Sequence, residues 1–279
     1  MNKVAAIQMT SGADVAPNLE VARGMLRGAR AQDAVVAVLP ENFAFMGRGE
    51  EAKLAVAEAP GAGPIQDFLA QSARQFGLWI VGGTIPLKVE GEARVAAASL
   101  VFDAQGEQVA RYDKIHLFDV DVPGKLESHR ESKAVRPGSL PVVLDTPVGR
   151  LGLAVCYDVR FPELFRALLA QGAEWFSLPS AFTVPTGRAH WELLLRTRAV
   201  ENLCYLVAAA QSGYHENGRE THGDSMVVEP WGRVVTRLPR GTGVITAELD
   251  LARQRRLRQD FPAVDHRRLS LEAATVKES

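Results

Sequence analysis

Short runs of consecutive apolar residues alternate along this chain with longer stretches whose apolar residues recur at helical spacing. The run at 34–39 reads AVVAVL, and the run at 151–155 reads LGLAV. Such runs are typical of strands covered on both faces, as in parallel sheets with helices outside them. Between the two runs, Pro64 and Gly77 bracket a helical pattern, proline at its start and glycine just past its end. The chain is therefore predicted to have an α/β fold.

The pattern becomes meander-like in the middle of the chain. A turn at 103–106 separates two candidate strands, and the segment 119–139 is rich in charge, proline and glycine. A structureless connection of that length is uncommon, so we expect a functional loop there. No low-complexity linker separates the two halves. We expect a single domain over 1–279 with two sheets and outer helices, ending in a tail, about 262–279, that is either flexible or in contact with another subunit.

The composition is that of a globular protein, with 47% hydrophobic and 23% charged residues. The 32 basic and 33 acidic residues nearly cancel, which gives no electrostatic reason to expect a nucleic acid or an anionic membrane as partner. The N-terminus lacks the long apolar segment of a signal peptide, and no apolar stretch reaches the roughly 20 residues of a membrane span. With only two cysteines and no CxxC, we expect a cytoplasmic protein.

Cys156 is the first candidate for chemistry. It ends the run LGLAVC, and Pro162 suits the first position of a helix, so the thiol is expected between a strand end and a helix N-terminus. Backbone N–H groups and the helix dipole at such a place would lower the pKa of the thiol. An inert core cysteine is the commoner fate of a cysteine after an apolar run. The polar stretch YDVR that follows favours a nucleophile.

Glu41 and Lys114 are two further candidates. Glu41 directly follows the run AVVAVLP and so occupies in the first half the position that Cys156 occupies in the second. Strand ends of this kind are where α/β sites form, although a capping or loop role is the commoner one for an isolated glutamate. Lys114 lies among apolar residues in RYDKIHLFD. The usual alternative is a lysine that extends its ammonium to water, whereas a lysine held beside a carboxylate can stabilise an oxyanion.

Histidine does not supply an evident base, and no cofactor motif is present. His190, in AHWE, is the best candidate for a cysteine–histidine pair, which the sequence leaves open, although a structural hydrogen-bonding role is favoured. The sequence contains no HExxH, P-loop or GxGxxG pattern. We expect neither a metal nor an organic cofactor.

Three segments resemble the signature segments of the nitrilase superfamily of carbon–nitrogen hydrolases. They are LPEN at 39–42, YDKIHLFDVDVPG at 112–124 and GLAVCYDVRFPEL at 152–164, in that order. The resemblance covers nearly the whole chain. The branch it resembles most is that of the deaminated-glutathione amidases, through the segments AVCYDVRFPEL, PSAF, AHWE and AAAQ. The ω-amidases share the segment DVPGK. The resemblance implies a four-layer α-β-β-α sandwich that pairs across its helices into homodimers or larger homo-oligomers.

The resemblance also implies roles for individual residues. Glu41 resembles the family's general base, Lys114 its oxyanion-stabilising lysine and Cys156 its nucleophile. Glu131 matches a second, assisting glutamate. Because the loop before it is one residue longer than the family pattern, Glu127 is the alternative for that role.

Four more residues are implied to contact the substrate. Arg160, Phe182 and Thr186 would line the pocket, with Arg160 suited to a substrate carboxylate, and the Tyr157 N–H would help Lys114 to hold the oxyanion. The implied activity is amide hydrolysis through a cysteine thioester, first of all of deaminated glutathione to 2-oxoglutarate and Cys-Gly. The alternative is an ω-amidase acting on 2-oxoglutaramate. A nitrilase, or a catalytically silent binding protein on this fold, is disfavoured because all four candidate catalytic residues are present.

Overall fold

A computed structural model describes residues 3–122 and 128–269 of the chain. Within them the α-helices are α1 (Val15–Ala31), α2 (Pro64–Phe76), α3 (Pro162–Ala170), α4 (Val184–Asn202) and α5 (Leu251–Asp260). Short 3₁₀ helices cover Glu50–Val56, Glu131–Lys133 and Cys156–Arg160. The strands of the first half are β1 (Lys3–Gln8), β2 (Val36–Val38), β3 (Trp79–Val81), β4 (Ile85–Lys88), β5 (Val95–Phe102), β6 (Gln108–Asp113), β7 (Asp119–Asp121) and β8 (Ser128–Arg130). Those of the second half are β9 (Val143–Thr146), β10 (Gly149–Leu153), β11 (Trp175–Ser180), β12 (Tyr205–Ala210), β13 (Ser212–Tyr214), β14 (Glu220–His222), β15 (Ser225–Val228), β16 (Val234–Leu238) and β17 (Gly243–Glu248).

The strands form two large sheets of similar design. The first has the order β17-β1-β2-β3-β5-β4, with β6 also paired to β5, and the second has the order β16-β15-β12-β11-β10-β9. Three parallel strands lie inside each sheet, β1, β2 and β3 in one and β10, β11 and β12 in the other. Antiparallel strands flank them. This arrangement explains why the central strands read as continuous apolar runs, since they are covered on both faces.

Alternate residues of β1 show how the layers stack. Val4 and Ala6 belong to the core that also contains the strands of the second sheet, whereas Ala5 and Ile7 pack in a separate core with α1 and α2. Successive side chains of a strand point to opposite faces, so the two sheets face each other and these helices cover the far side of the first. The second sheet is covered by α3 and α4. The predicted four-layer α-β-β-α sandwich is confirmed.

The ends of the central strands meet on one side of the molecule. Met9, just after β1, donates its N–H to Ala210 O at 3.3 Å and accepts from Ser212 N at 2.8 Å, which joins the two sheets at this edge. The carboxyl ends of β2 and β10 therefore lie in the same region. Glu41 and Cys156 follow these two ends, as their matching positions in the sequence suggested.

Some sequence-based expectations need correction. The segment 119–139 is not structureless, because β7 and β8 pair as a short antiparallel hairpin and a 3₁₀ turn follows. The helix that contains His190, α4, begins at Val184, with proline in its first turn. Residues 123–127 and 270–279, which include Glu127 and most of the expected tail, lie outside the described residues. Within the described part of the chain, no helix is both long and apolar enough to cross a bilayer.

Candidate active site

Cys156 lies at a strained turn after β10. Its backbone φ is +46°, in the left-handed region that non-glycine residues rarely adopt. It begins the 3₁₀ helix Cys156–Arg160, while α3 begins only at Pro162. The thiol thus lies between the end of β10 and the start of α3, as the sequence predicted, with one short 3₁₀ turn before α3.

A fully buried carboxylate, Asp158, holds this turn in place. Its Oδ2 accepts hydrogen bonds from Val155 N at 2.8 Å and from Tyr112 Oη at 2.7 Å, and its Oδ1 accepts from His116 N at 3.1 Å. Val155 precedes the cysteine, whereas the other two donors flank Lys114. Asp158 thus connects the backbone that carries the thiol to the segment that carries the lysine.

Lys114 lies between two carboxylates. Its Nζ is 2.9 Å from Glu41 Oε1 and 2.8 Å from Glu131 Oε2, and all three side chains are buried. Burial lowers the pKa of Lys114, but the charges of Glu131 and Glu41 outweigh this and raise the pKa well above its usual range. The lysine therefore stays charged although it is buried.

Glu131 is fixed by contacts on both of its oxygens. Phe118 N donates to Oε2 at 2.7 Å, and Lys53 Nζ lies 4.0 Å from Oε1. Burial raises the pKa of Glu131, but the charges of Lys114 and Lys53 and these hydrogen bonds prevail and lower the pKa from 4.5 to about 2. Glu131 is an anion under all physiological conditions and serves as an anchor for the lysine.

Glu41 is positioned through its backbone. Its carbonyl oxygen accepts from Gln211 Nε2 at 3.1 Å, and the next residue, Asn42, donates its N–H to Thr84 Oγ1 at 2.9 Å. Gly83, with φ of +54°, packs against the Pro40 carbonyl so closely that a side chain there would overlap it. The turn that carries Glu41 is thus tied to both halves of the chain.

The Cys156 thiol meets the negative carboxylate of Glu41. Burial raises the pKa of Cys156 well above its usual range, the charge and hydrogen bond of Glu41 raise it further, and Lys114 and the Ala181 N–H oppose them. The expectation of a lowered thiol pKa was wrong, because burial and Glu41 outweigh Lys114. In its resting state the site holds a neutral thiol against a carboxylate, which is the arrangement for proton transfer during attack rather than for a preformed thiolate.

These groups line a small chamber, partly open to solvent, with a cavity volume of about 20 Å³. The four residues predicted to contact the substrate line the same chamber: Tyr157, Arg160, Phe182 and Thr186. The Arg160 guanidinium lies over the Phe182 ring at 5.4 Å and the Tyr157 ring at 5.7 Å. All eight candidate residues are thus brought together.

His190 is not part of the chamber. Its Nδ1 lies 3.2 Å from Arg160 Nη1, so it contacts a pocket residue from outside rather than the thiol. The second cysteine, Cys204, is buried in the core, where its Sγ lies 3.4 Å from Ala173 O. Cys204 therefore fills the role of an inert core cysteine, which was the alternative to a nucleophile for Cys156.

Sequence reasoning missed three charged residues of the chamber. Glu50 and Lys53 form an ion pair at 2.9 Å on a 3₁₀ helix that no apolar pattern announced, and Lys53 extends from it towards Glu131. Arg219 enters the chamber from the turn between β13 and β14. Its only signal was the turn-like sequence HENGRE.

Comparison with known proteins gives a consistent result. The profile of the carbon–nitrogen hydrolase family matches residues 3–259. The deaminated glutathione amidase of Yersinia enterocolitica is 41% identical over 95% of this chain and 92% of its own length. That of Homo sapiens is 43% identical, over 96% and 83%. The crystal structure of the Caenorhabditis elegans NitFhit protein superimposes with a TM-score of 0.87 at 40% identity, covering 96% of this chain, which spans only 65% of that longer protein.

Proposed function

This chain belongs to the carbon–nitrogen hydrolase family, and we propose that it hydrolyses the amide of deaminated glutathione through a thioester on Cys156. The observation that carries the proposal is the position of Lys114. A buried ammonium held by Glu41 and Glu131 lies beside a thiol that is hydrogen-bonded to Glu41. Base, cation and nucleophile thus converge on one chamber.

In the first half of the reaction, Glu41 takes the thiol proton as the Cys156 sulfur attacks the amide carbonyl carbon. The carbonyl π electrons move to oxygen, and the resulting oxyanion is stabilised by the Lys114 ammonium and by the Tyr157 N–H. Removing one such donor typically costs on the order of 10²–10³ in rate. The carbon–nitrogen bond then breaks as Glu41 returns its proton to the leaving nitrogen.

In the second half, water attacks the thioester. Glu41, again a carboxylate, takes a proton from the water, and a second tetrahedral oxyanion forms against the same donors. Its collapse breaks the carbon–sulfur bond, releases the carboxylic acid, and returns the proton to the Cys156 sulfur. Glu131 takes no proton in this scheme. It holds Lys114 in position and keeps it charged.

The relatives support the choice of substrate. Several relatives at 40–43% identity over most of this chain are named deaminated glutathione amidase. Arg160, beside Phe182, supplies a cation for the carboxylate of the 2-oxoglutarate half. A second candidate, 2-oxoglutaramate, shares that half, and the small volume of the chamber favours it.

The decisive experiment incubates the purified chain with deaminated glutathione and, separately, with 2-oxoglutaramate, and measures released 2-oxoglutarate. We expect turnover of both, with the higher kcat/KM for deaminated glutathione, and loss of both in Cys156→Ala. Cys204→Ala is the matched control, because this thiol is buried away from the chamber. Amidase activity that survives in Cys156→Ala, or no turnover of either amide by the wild type, would contradict the proposal.

We further propose that residues 1–279 act as a single domain, in a cytoplasmic homodimer or larger homo-oligomer. The chamber draws Glu41 from the first half of the chain and Cys156 from the second, which supports one folding unit. Exposed Leu193 and Val200 on α4 supply apolar surface for contact between subunits. Light scattering on the purified protein tests the assembly, and a monomeric mass would contradict it.

A further inference from the structure

Arg219 lies where the catalytic chamber opens into a larger cleft. The chamber is lined by the candidate catalytic residues, and the outer cleft by residues of the β13–β14 turn and of the segments 42–53 and 128–133. Four residues line both spaces, namely Asn42, Glu50, Lys53 and Arg219. Arg160, in contrast, lines only the inner chamber. A substrate bound across the junction would thus meet one arginine at each end.

The Arg219 guanidinium has unused hydrogen-bonding capacity. Its Nη2 donates to Ala181 O at 3.0 Å, but its Nε is buried and, among the described residues, has no hydrogen-bond partner. Within the same part of the chain no carboxylate forms an ion pair with it. Lys53, the other cation at the junction, is already held by Glu50 at 2.9 Å. A buried N–H without a partner next to an open cleft indicates a site for an acceptor that is not part of the chain.

The position of Arg219 is fixed by its turn. Asn217 Oδ1 accepts from Arg219 N at 2.9 Å, and Asn217 Nδ2 donates to Gly47 O at 2.9 Å, which ties the turn to the opposite wall of the cleft. The buried His215 donates its backbone N–H to Arg219 O at 2.9 Å. With its backbone held by these bonds and its Nη2 held by Ala181 O, the guanidinium binds with less loss of conformational freedom.

A single residue connects Arg219 to the nucleophile. The Ala181 N–H faces the Cys156 sulfur, and the Ala181 carbonyl accepts from Arg219. Two hydrogen bonds and the backbone of one residue therefore separate the guanidinium from the thiol. A leaving group of two residues spans at most about 7 Å when extended, which is on the same scale as that path.

We propose that Arg219 binds the terminal carboxylate of the leaving amine and so sets the preference for deaminated glutathione over 2-oxoglutaramate. This inference rests on the proposed function. Deaminated glutathione carries an anion at both ends, the 2-oxo acid on the acyl side and the glycine carboxylate on the leaving side. 2-Oxoglutaramate releases only ammonia and has no second carboxylate. Paired N–H donors of a guanidinium suit a carboxylate, and Arg219 is the specificity-determining residue for the second anion.

The test removes the interaction from each side in turn. kcat/KM is measured for wild type and Arg219→Gln with three substrates: deaminated glutathione, its analogue with a C-terminal glycinamide, and 2-oxoglutaramate. We expect the ratio of kcat/KM for deaminated glutathione to that for 2-oxoglutaramate to fall about 10- to 100-fold in Arg219→Gln, the range for a hydrogen bond to a charged group. In the wild type, kcat/KM for the glycinamide analogue should be lower than that for deaminated glutathione by a similar factor. In Arg219→Gln the two kcat/KM values should differ little.

Arg48→Gln is the matched control. It makes the same substitution at an exposed arginine that lines only the outer cleft, and we expect the substrate ratio to stay within about twofold of wild type. If Arg219→Gln loses the same factor on all three substrates, or if Arg48→Gln alone shifts the ratio, the assignment of the carboxylate to Arg219 is overturned. If the wild type does not hydrolyse deaminated glutathione at all, the proposed function itself has failed.

Discussion

The ammonium of Lys114 lies 2.8 Å from Oε2 of Glu131, with both side chains almost fully excluded from water. Because the pKa of Glu131 is lowered from 4.5 to about 2 in the folded protein, this carboxylate stabilises the fold above pH 4.5, and the stabilisation is lost as the pH falls towards 2. At roughly 1.4 kcal/mol per pKa unit, the contribution is about 3 kcal/mol.

Lys114→Met should therefore destabilise the protein as well as inactivate it. The substitution leaves two buried carboxylates without their cation, and we expect the free energy of unfolding at pH 7 to fall by about 3 kcal/mol. Protonation of the freed carboxylates relieves this cost, so the difference from wild type should shrink at pH 4. Urea unfolding at pH 7 and at pH 4 measures the difference in unfolding free energy between the variant and the wild type. Lys88→Met, at an exposed lysine of β4, is the control, and an equal loss at both pH values would contradict the argument.

Glu41→Gln should change the titration of the nucleophile. Burial raises the pKa of Cys156 most and the charge of Glu41 raises it further, so removal of that charge should move the pKa downward while turnover is lost. The rate of iodoacetamide alkylation against pH, followed by peptide mass spectrometry, gives the apparent pKa. Cys204, whose pKa burial raises to about 12, is the control within the same molecule. An apparent pKa that stays unchanged or rises would refute this account of the thiol.

Asp158 offers a test of positioning. Asp158→Ala leaves four donors around the turn without an acceptor, each at about 1–3 kcal/mol, and we expect a large loss of stability and of kcat. Asp158→Asn keeps one acceptor oxygen and should recover part of both. The informative readout is kcat relative to KM in Asp158→Asn. Misplacement of the Cys156 and Lys114 segments predicts a lower kcat with KM little changed, whereas a purely structural role predicts lost stability with kcat intact.

The fold was predictable wherever one local pattern determined it. The continuous apolar runs identified the central parallel strands, and the limits of α2 follow from Pro64 and Gly77. The short hairpin of β7 and β8 was not foreseen, because its arms of three residues are too short to show an alternating pattern. Glu41, Lys114 and Cys156 stood out because each interrupts or ends an apolar stretch, whereas Glu131 was indicated only by the family resemblance.

The electrostatic state of the site could not be predicted in the same way. The pKa of Cys156 depends on how completely the thiol is buried and on its contact with Glu41, which are tertiary properties. The same holds for Arg219, which lies 63 residues from Cys156 in sequence (219 − 156) and is connected to it through Ala181. Local sequence reports neither the missing partner of a guanidinium nor the depth of a chamber.

Gly83 and Gly91 give a matched pair for testing how the Glu41 turn is supported. Both have positive φ, +54° and +73°, so alanine at either position brings a similar backbone strain of roughly 1 kcal/mol. A side chain at Gly91 would meet nothing, whereas at Gly83 it would overlap the carbonyl of Pro40, the residue before Glu41. We expect Gly91→Ala to lower stability slightly with kcat unchanged.

Gly83→Ala should lower stability by several kcal/mol, since backbone must shift, and it should lower kcat about 10-fold or more because Glu41 moves with Pro40. Thermal unfolding together with kcat on the amide substrate distinguishes the two variants. Equal kcat values in Gly83→Ala and Gly91→Ala would mean that the position of Glu41 does not depend on this contact. A selective loss of kcat in Gly83→Ala would show that the close approach of Gly83 to Pro40 positions the base, because the conformational strain alone is shared by both variants.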